Sequence, residues 1–273
     1  MFFMKLHGEA YSTDQIDEKL SELKFVKCTA NQKESFGWTS PFGRNSEVFV
    51  LAHGKKMMLT MLQEKKDVPS SAVNDELDVV LDNYKREHNI EKVPAKVKNE
   101  LKEDVVERLL PRAFSRTKAI NGILDWDRNL LIIDATSETA AQRFSQLLAK
   151  SLEGATIATL RPDNHLPDTL TSWVVDKDIP NDYQFGSSAE LTSDLTEGKI
   201  RYSKEGIEDD PIITEYLQAD DRYVSAIGLD FKDLIQFTLT EDFVCKSVKF
   251  TLDDDELGEI DDKLAYLDAE FGL

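Results

Sequence analysis

The residues whose charge and spacing could do chemistry in this 273-residue chain are concentrated between positions 92 and 128. Nine bases lie there against six acids, a local balance of +3 in a chain whose net charge is −19. The stretch from Arg108 to Lys118 holds four of the bases and no acid. Guanidinium and ammonium groups in such a stretch suit contact with phosphate. The nine bases are Lys92, Lys96, Lys98, Lys102, Arg108, Arg112, Arg116, Lys118 and Arg128.

Three of these bases follow a proline that should end a helix. Arg112, Arg116 and Lys118 lie past Pro111, and no acid close to them in sequence could neutralise them. We therefore predict that they contact phosphate.

Two interpretations remain open for the other basic candidates. Lys98 and Lys102 are four residues apart, so they could contact phosphate or simply solvate a helix face beside Glu103 or Asp104. Arg201 and Lys204 form a second, smaller basic cluster with Lys199, which neighbouring acids dilute. Both pairs are retained as candidate DNA-binding residues.

Phe114 lies in the middle of the basic stretch. Arg112, Ser115 and Arg116 surround it, and it has no apolar partners at helical or alternating spacing. An exposed aromatic side chain in such a setting usually seeks a partner surface. The default reading is a core phenylalanine, but the surroundings favour a contact outside the subunit.

Two acidic groups raise the alternative of a metal-dependent nuclease, which needs several converging carboxylates. These are Asp125 with Asp127, and the run at 253–256. The first is more simply a turn between strands and the second a solvated acidic end. The four histidines have no zinc-like spacing, there is no phosphate-binding glycine loop, and the two cysteines are expected to be reduced. We therefore predict no catalytic residue, no metal and no cofactor.

The overall composition describes a folded acidic protein. Hydrophobic residues make up 41% of the chain and charged residues 31%, and no apolar run is long enough to span a bilayer. The acidic charge alone argues against a nucleic-acid binder, because it repels phosphates. The sequence nevertheless separates its charge into an acidic body and one basic stretch. We expect a cytoplasmic protein.

The elements that must position the basic stretch alternate between helical and strand patterns, which predicts an α+β fold. We divide the chain into an N-terminal α+β unit (1–68), a helical tip with a basic loop (69–118), and a central and C-terminal α+β region (119–273). In the tip, apolar stripes at 73–84 and 97–109 predict two helices with narrow buried faces. Residues 11–27 are predicted to form a helix that Ser12 or Thr13 could cap, and Ser137 should cap another helix with Ala141, Phe144 and Leu148 facing inward. From Leu170 onward, strand and turn signals dominate.

Several ordered motifs resemble the RdgC family of bacterial recombination-associated proteins. The segment 109–116 reads LLPRAFSR, which is similar to the signature of that family. The aromatic-glycine motif at 35–38, the strand at 131–135 and the LTSWV motif at 170–174 also resemble it. So do the strand patterns at 229–231, 235–237 and 248–250. The resemblance covers nearly the whole chain.

The resemblance implies a fold and a function that composition and periodicity do not give. It implies a horseshoe-shaped subunit with mixed sheets and a projecting helical tip. Two such subunits would form a ring-shaped homodimer around double-stranded DNA, bound without regard to sequence, and single-stranded DNA is a further candidate partner. Phe114 would lie at the gate where two tips meet. RecA would be a functional antagonist, and the protein would be nucleoid-associated. The alternatives are an exonuclease acting in recombination, and regulation of RecA without DNA contact.

Overall fold

The computed structural model describes residues 1–43, 46–193, 195–196, 198–204, 206–219 and 222–251. Over these ranges the chain forms helices and strands in the mixture expected of an α+β fold, which confirms the predicted class. The acidic run at 253–256 lies outside the described residues. The elements are β1 (Phe2–His7), α1 (Thr13–Glu22), β2 (Glu34–Thr39), β3 (Val50–His53), β4 (Lys56–Asp67), α2 (Ser70–His88), α3 (Ala95–Leu109), β5 (Phe114–Asp125), β6 (Leu130–Asp134), α4 (Glu138–Ser151), β7 (Thr156–Thr159), α5 (Leu166–Asp176), β8 (Tyr183–Ser193), β9 (Lys199–Ser203), α6 (Pro211–Ala219), β10 (Arg222–Phe231), β11 (Ile235–Thr240) and β12 (Cys245–Phe250).

The strands form two sheets. The order in the first is β2-β4-β5-β6-β1-β7, with β3 also paired to β4, and the order in the second is β12-β11-β10-β8-β9. Contacts divide the chain into two units. One, here called the hairpin unit, comprises Tyr11–Val50 and Leu59–Asn121. The other, here called the two-sheet unit, comprises Met1–Ala10, Leu51–Met58 and Gly122–Leu273.

Helix α1 begins where the sequence predicts and ends earlier. Ser12 caps it, and Gln15 returns a hydrogen bond to the Ser12 amide in a capping box. Sequence periodicity extended the helix to about residue 27, which was wrong. The backbone of Leu23 and Phe25 instead pairs with Trp38 on β2, so sheet hydrogen bonds replace those of a further helical turn.

Helices α2 and α3 pack against each other in the hairpin unit and confirm the two predicted apolar stripes. Both begin directly after a proline. Proline is tolerated at a helix start because the amide that it lacks would have no hydrogen-bond partner within the helix. The buried residues are Val73, Leu77 and Leu81 on α2 and Val105 on α3. The buried face is narrow, so most of each helix carries solvated charge.

The prediction of a basic loop after α3 was wrong. Leu110–Arg112 forms one 3-10 turn, and strand β5 begins at once with Phe114. The first six residues of β5 are all exposed, and alternation of buried and exposed positions starts only at Ile120. The backbone therefore forms a strand where the side chains give no period-two signal.

Helix α4 confirms the helix predicted after Ser137. Ser137 caps its first turn, and Ala141, Phe144 and Leu148 are fully buried. The ring of Phe144 covers β5 so closely that a Cβ added at Gly122 would come within 2.4 Å of it. Only glycine fits there without a shift of the ring.

Two helices lie where strands were expected. The LTSWV motif belongs to α5, and α6 follows later. Leu166, Leu170 and Val174 are spaced by four and buried against the second sheet, so the motif contributes one turn to a helical face rather than an alternating strand. The strand predicted at 235–240 is β11, and its partner, predicted on Val248, Phe250 and Leu252, is β12, which begins three residues earlier and pairs antiparallel with β11.

Candidate nucleic-acid interface

The basic segment, residues 112–118, is displayed by the end of α3 and the start of β5. The 3-10 turn buries Leu110 and leaves Arg112 exposed. Arg116 and Lys118 follow on β5, within its exposed first half. The sequence-predicted cations therefore lie together on one short, solvated stretch of the hairpin unit.

Arg116 has an acidic neighbour that sequence distance concealed. Its guanidinium lies 3.0 Å from the Asp67 carboxylate at the end of β4, and its side chain remains 83% exposed. The expectation of an unneutralised arginine is corrected at this position because β4 and β5 are adjacent strands. Exposed pairs of this kind contribute about 0–1 kcal/mol, so a phosphate could replace the carboxylate at little cost.

The root of the basic segment is held by a buried carboxylate. Hydrogen bonds from the Ser115 hydroxyl and the Cys28 amide hold the pKa of Glu64 below its ordinary value, and the Cys28 amide lies 2.7 Å from Glu64 Oε2. On the same strand, buried Lys66 donates to the carbonyls of Thr29 and Ala30. The Ser115 contact ties the start of β5 to β4 immediately beside Arg116.

Phe114 opens β5 with its ring in solvent. At 88% exposure it is the most exposed large apolar side chain among the described residues. Phe114 is therefore not a core residue of its own subunit. A ring this exposed, between two arginines, has the properties of a group that contacts another surface.

Lys98 and Lys102 occupy neighbouring turns of α3, and both are exposed. Their spacing of four puts them on the same side of the helix. Arg108, on the last turn, is paired with Glu76 of α2 at 2.5 Å. The two lysines thus form an exposed basic pair on α3, whereas Arg108 ties the two helices together.

The second basic cluster lies in the two-sheet unit, where each of its members has a carboxylate partner. Lys199 and Arg201 on β9 lie 2.8 and 2.9 Å from the two oxygens of Glu190. Lys204 lies 3.4 Å from Asp210. Sequence analysis missed Glu190, although its position between buried Ala189 and Leu191 indicates a polar sheet face.

The first acidic candidate is a turn. Asp125 accepts hydrogen bonds from the amides of Asp127 and Arg128, and its other oxygen pairs with the Arg128 guanidinium at 3.0 Å. Burial raises the pKa of Asp125, but these hydrogen bonds outweigh it and hold the pKa below its ordinary value. Asp127 pairs with Lys55 at 2.8 Å. Both carboxylates are thus engaged by cations or amides of the chain.

Over the described part of the chain, no three histidine, cysteine, aspartate or glutamate side chains converge as a metal site would require. Within the same ranges, no helix has the length and apolar character needed to cross a membrane. Both cysteines are free thiols.

Comparison with known proteins gives a consistent family. The profile of the family described as "Putative exonuclease, RdgC" matches residues 1–273. A protein of Psychromonas ingrahamii is 30% identical over 283 residues, covering 100% of this chain and 93% of the relative. A protein of Haemophilus influenzae is 31% identical over 264 residues, with coverages of 95% and 86%. One of Proteus mirabilis is 31% identical over 243 residues, with coverages of 89% and 80%. Each of the three is named "Recombination-associated protein RdgC".

Proposed function

Since the chain belongs to the RdgC family of recombination-associated proteins, we propose that it binds double-stranded DNA without reading its sequence. In this proposal it acts as a ring-shaped homodimer that restrains RecA-dependent recombination on the nucleoid. The observation that carries the proposal is the exposed basic segment, with Arg112, Arg116 and Lys118 around the solvated ring of Phe114.

The distribution of charge favours one local contact with the DNA backbone. The chain as a whole carries a net charge of −19, so DNA is repelled from most of its surface. The basic segment, extended by Lys98 and Lys102 on α3, supplies the attraction. Contacts from arginine and lysine to phosphate fix the position of the duplex but carry no information about its bases. Binding should therefore be independent of sequence.

The ring is proposed from the contrast between Phe114 and its surroundings. A cationic segment gains from lying beside DNA, whereas an exposed aromatic ring gains from leaving water. Contact between the two copies of Phe114 and their partner subunits would satisfy both requirements, because it would close the dimer while the arginines face the duplex. Closed two-fold dimers are the commonest assemblies of identical chains.

Binding without cleavage is favoured over exonuclease activity. The carboxylates of Asp125 and Asp127 are held by Arg128, Lys55 and backbone amides, so they would first have to release these partners before binding metal ions. The curated relatives carry the name of a recombination-associated protein. Restraint of recombination would then follow from occupation of the DNA.

An electrophoretic shift assay with magnesium, on linear duplexes of unrelated sequence and on single strands, tests the proposal. We expect retarded DNA of unchanged length, equal affinity for all duplex sequences, and steep weakening by salt. If about six phosphates are neutralised, log K should fall with a slope of about −5 against log salt. Shortened DNA would indicate the exonuclease instead. DNA that is neither shifted nor cut would leave regulation through protein contact alone.

A further inference from the structure

Over the described residues, one face of the second sheet carries a concavity of about 460 Å³. Helices α5 and α6 cover the opposite face, where the apolar core lies. The lining includes three cations, Lys199, Arg201 and Lys246, and three acids, Glu190, Glu241 and Asp242. The cations have the chemistry that recognises a phosphate group, and the acids oppose its approach.

An anion of the chain itself occupies this lining. Glu190 reaches Lys199 with one carboxylate oxygen at 2.8 Å and Arg201 with the other at 2.9 Å. The Ser225 hydroxyl donates to the Glu190 carbonyl at 3.2 Å and lies 3.5 Å from its carboxylate. The Glu190 side chain is only 20% exposed, whereas that of Arg201 is 81% exposed. The carboxylate therefore sits beneath the cations and engages both.

The register of the sheet keeps Glu190 in this position. Glu190 on β8 lies directly opposite Arg201 on β9, and its neighbours Ala189 and Leu191 lie opposite Tyr202 and Ile200. Those flanking residues face the core, so a slip of one residue would expose the whole apolar set. The register therefore keeps the Glu190 carboxylate beside Arg201, where it would compete with an incoming anion for the cations.

We propose that Glu190 is an intramolecular competitor for phosphate that keeps Lys199 and Arg201 out of the contact with DNA. The proposal rests on the DNA-binding function proposed above and assigns a role within it. A hydrogen bond from Lys199, and a second one from Arg201, hold the pKa of the Glu190 carboxyl below its ordinary value. The competitor therefore stays charged throughout the physiological range of pH, and DNA affinity is held below what the cations could support.

The test removes the competing charge and leaves the shape of the side chain. Glu190→Gln should bind duplex DNA about tenfold more tightly at moderate salt. Because two cations become available, the slope of log K against log salt should steepen by about 2. The matched control is Glu241→Gln, which removes the same charge from the lining of the same concavity. Glu241 acts on Lys199 through space only, so its variant should change affinity less than twofold.

A second substitution separates local competition from a general change in charge. Arg201→Ala should weaken binding less than twofold in the wild-type background, because Arg201 is there already paired with Glu190. In the Glu190→Gln background the same change should abolish most of the tenfold gain. Such non-additivity is the signature of a direct contact. If Glu190→Gln does not fold, a large loss from Arg201→Ala in the wild-type background still overturns the proposal.

Three outcomes overturn the competitor. These are unchanged affinity of a folded Glu190→Gln variant, an equal gain from Glu241→Gln, and a large loss from Arg201→Ala in the wild-type background. All three presuppose wild-type protein that binds DNA with a salt-dependent affinity. If wild-type protein does not bind DNA at all, the proposed function itself fails, and the two failures are therefore distinguishable.

Discussion

Replacing Phe114 by alanine distinguishes a role within one subunit from a role between two subunits. Because the side chain is 88% exposed, only about 12% of the roughly 200 Å² that a phenylalanine can bury is covered by its own chain. At about 25 cal/mol per Å², that contact contributes roughly 0.6 kcal/mol to folding. The subunit should therefore fold normally after the substitution.

The same ring would be worth far more at an interface. Full insertion into a partner surface would remove about 150–250 Å² from water, which bounds its contribution at about 4–6 kcal/mol. Ordering of the interface reduces this figure. A net loss of about 3 kcal/mol would raise the dissociation constant of the dimer by roughly two orders of magnitude. Two-fold symmetry would double the number of insertions that the substitution removes.

Three measurements on Phe114→Ala give the answer. Urea denaturation should report less than ~1 kcal/mol of lost subunit stability. Light scattering over a dilution series should show a dimer that dissociates at higher concentration than wild type. Release from closed circular DNA, which has no end to slide from, should be faster. Phe42→Ala, which also removes an exposed ring in the hairpin unit, should change none of the three.

Two results would refute this reasoning about Phe114. One is a large loss of subunit stability, since the ring would then be buried within its own chain under solution conditions. The other is an unchanged dimer and unchanged release from circular DNA, because an exposed ring without a partner has no role at a gate.

The other predictions concern the basic segment, a tight backbone crossing and an acid-sensitive turn. Arg112→Ala should weaken duplex binding several-fold and make the salt slope shallower by about 1, with the dimer unchanged in light scattering. Gly37→Ala should destabilise the fold by about 2 kcal/mol or more in urea, because a Cβ there would lie 2.5 Å from the Cα of Phe25. The pKa of Asp125 is lower in the folded chain, so its contribution is present above its usual value of about 3.8 and is lost as pH falls through the folded pKa. Asp125→Asn should accordingly cost about 1 kcal/mol near neutral pH, and the difference from wild type should vanish in acid. A difference in stability that does not shrink as pH falls below the usual value of about 3.8 would contradict that assignment.

Sequence periodicity predicted the elements in which a buried stripe is long and regular. The stripes of α2, α3 and α4 gave helices at the expected places, and the alternation from Ile235 to Thr240 gave β11. It failed where side chains do not report the backbone. The first half of β5 is exposed on both faces and so resembles a loop. Helix α5 was missed because its motif covers too few turns for a period of four to be recognised.

The cations of the candidate site could be predicted from the sequence, but the carboxylates that pair with them could not. Charge segregation along the chain located Arg112, Arg116 and Lys118 without any structural information. Their environment depends on pairing between strands that are distant in sequence. Asp67 meets Arg116, and Glu190 meets Arg201, only because the sheets bring them together. An acid that neutralises a base across a sheet leaves no local pattern, so sequence analysis overestimated the free positive charge.

The Arg116–Asp67 ion pair changes how ion release on binding should be counted. When a phosphate takes Arg116, the DNA releases a condensed cation, but the freed Asp67 carboxylate can recruit a cation from solution. The net number of ions released at that position is then smaller than for an unpaired arginine. A salt slope measured on wild-type protein would thus undercount the phosphates in contact, and Asp67→Asn should steepen it by a fraction of the roughly 0.9 expected per phosphate.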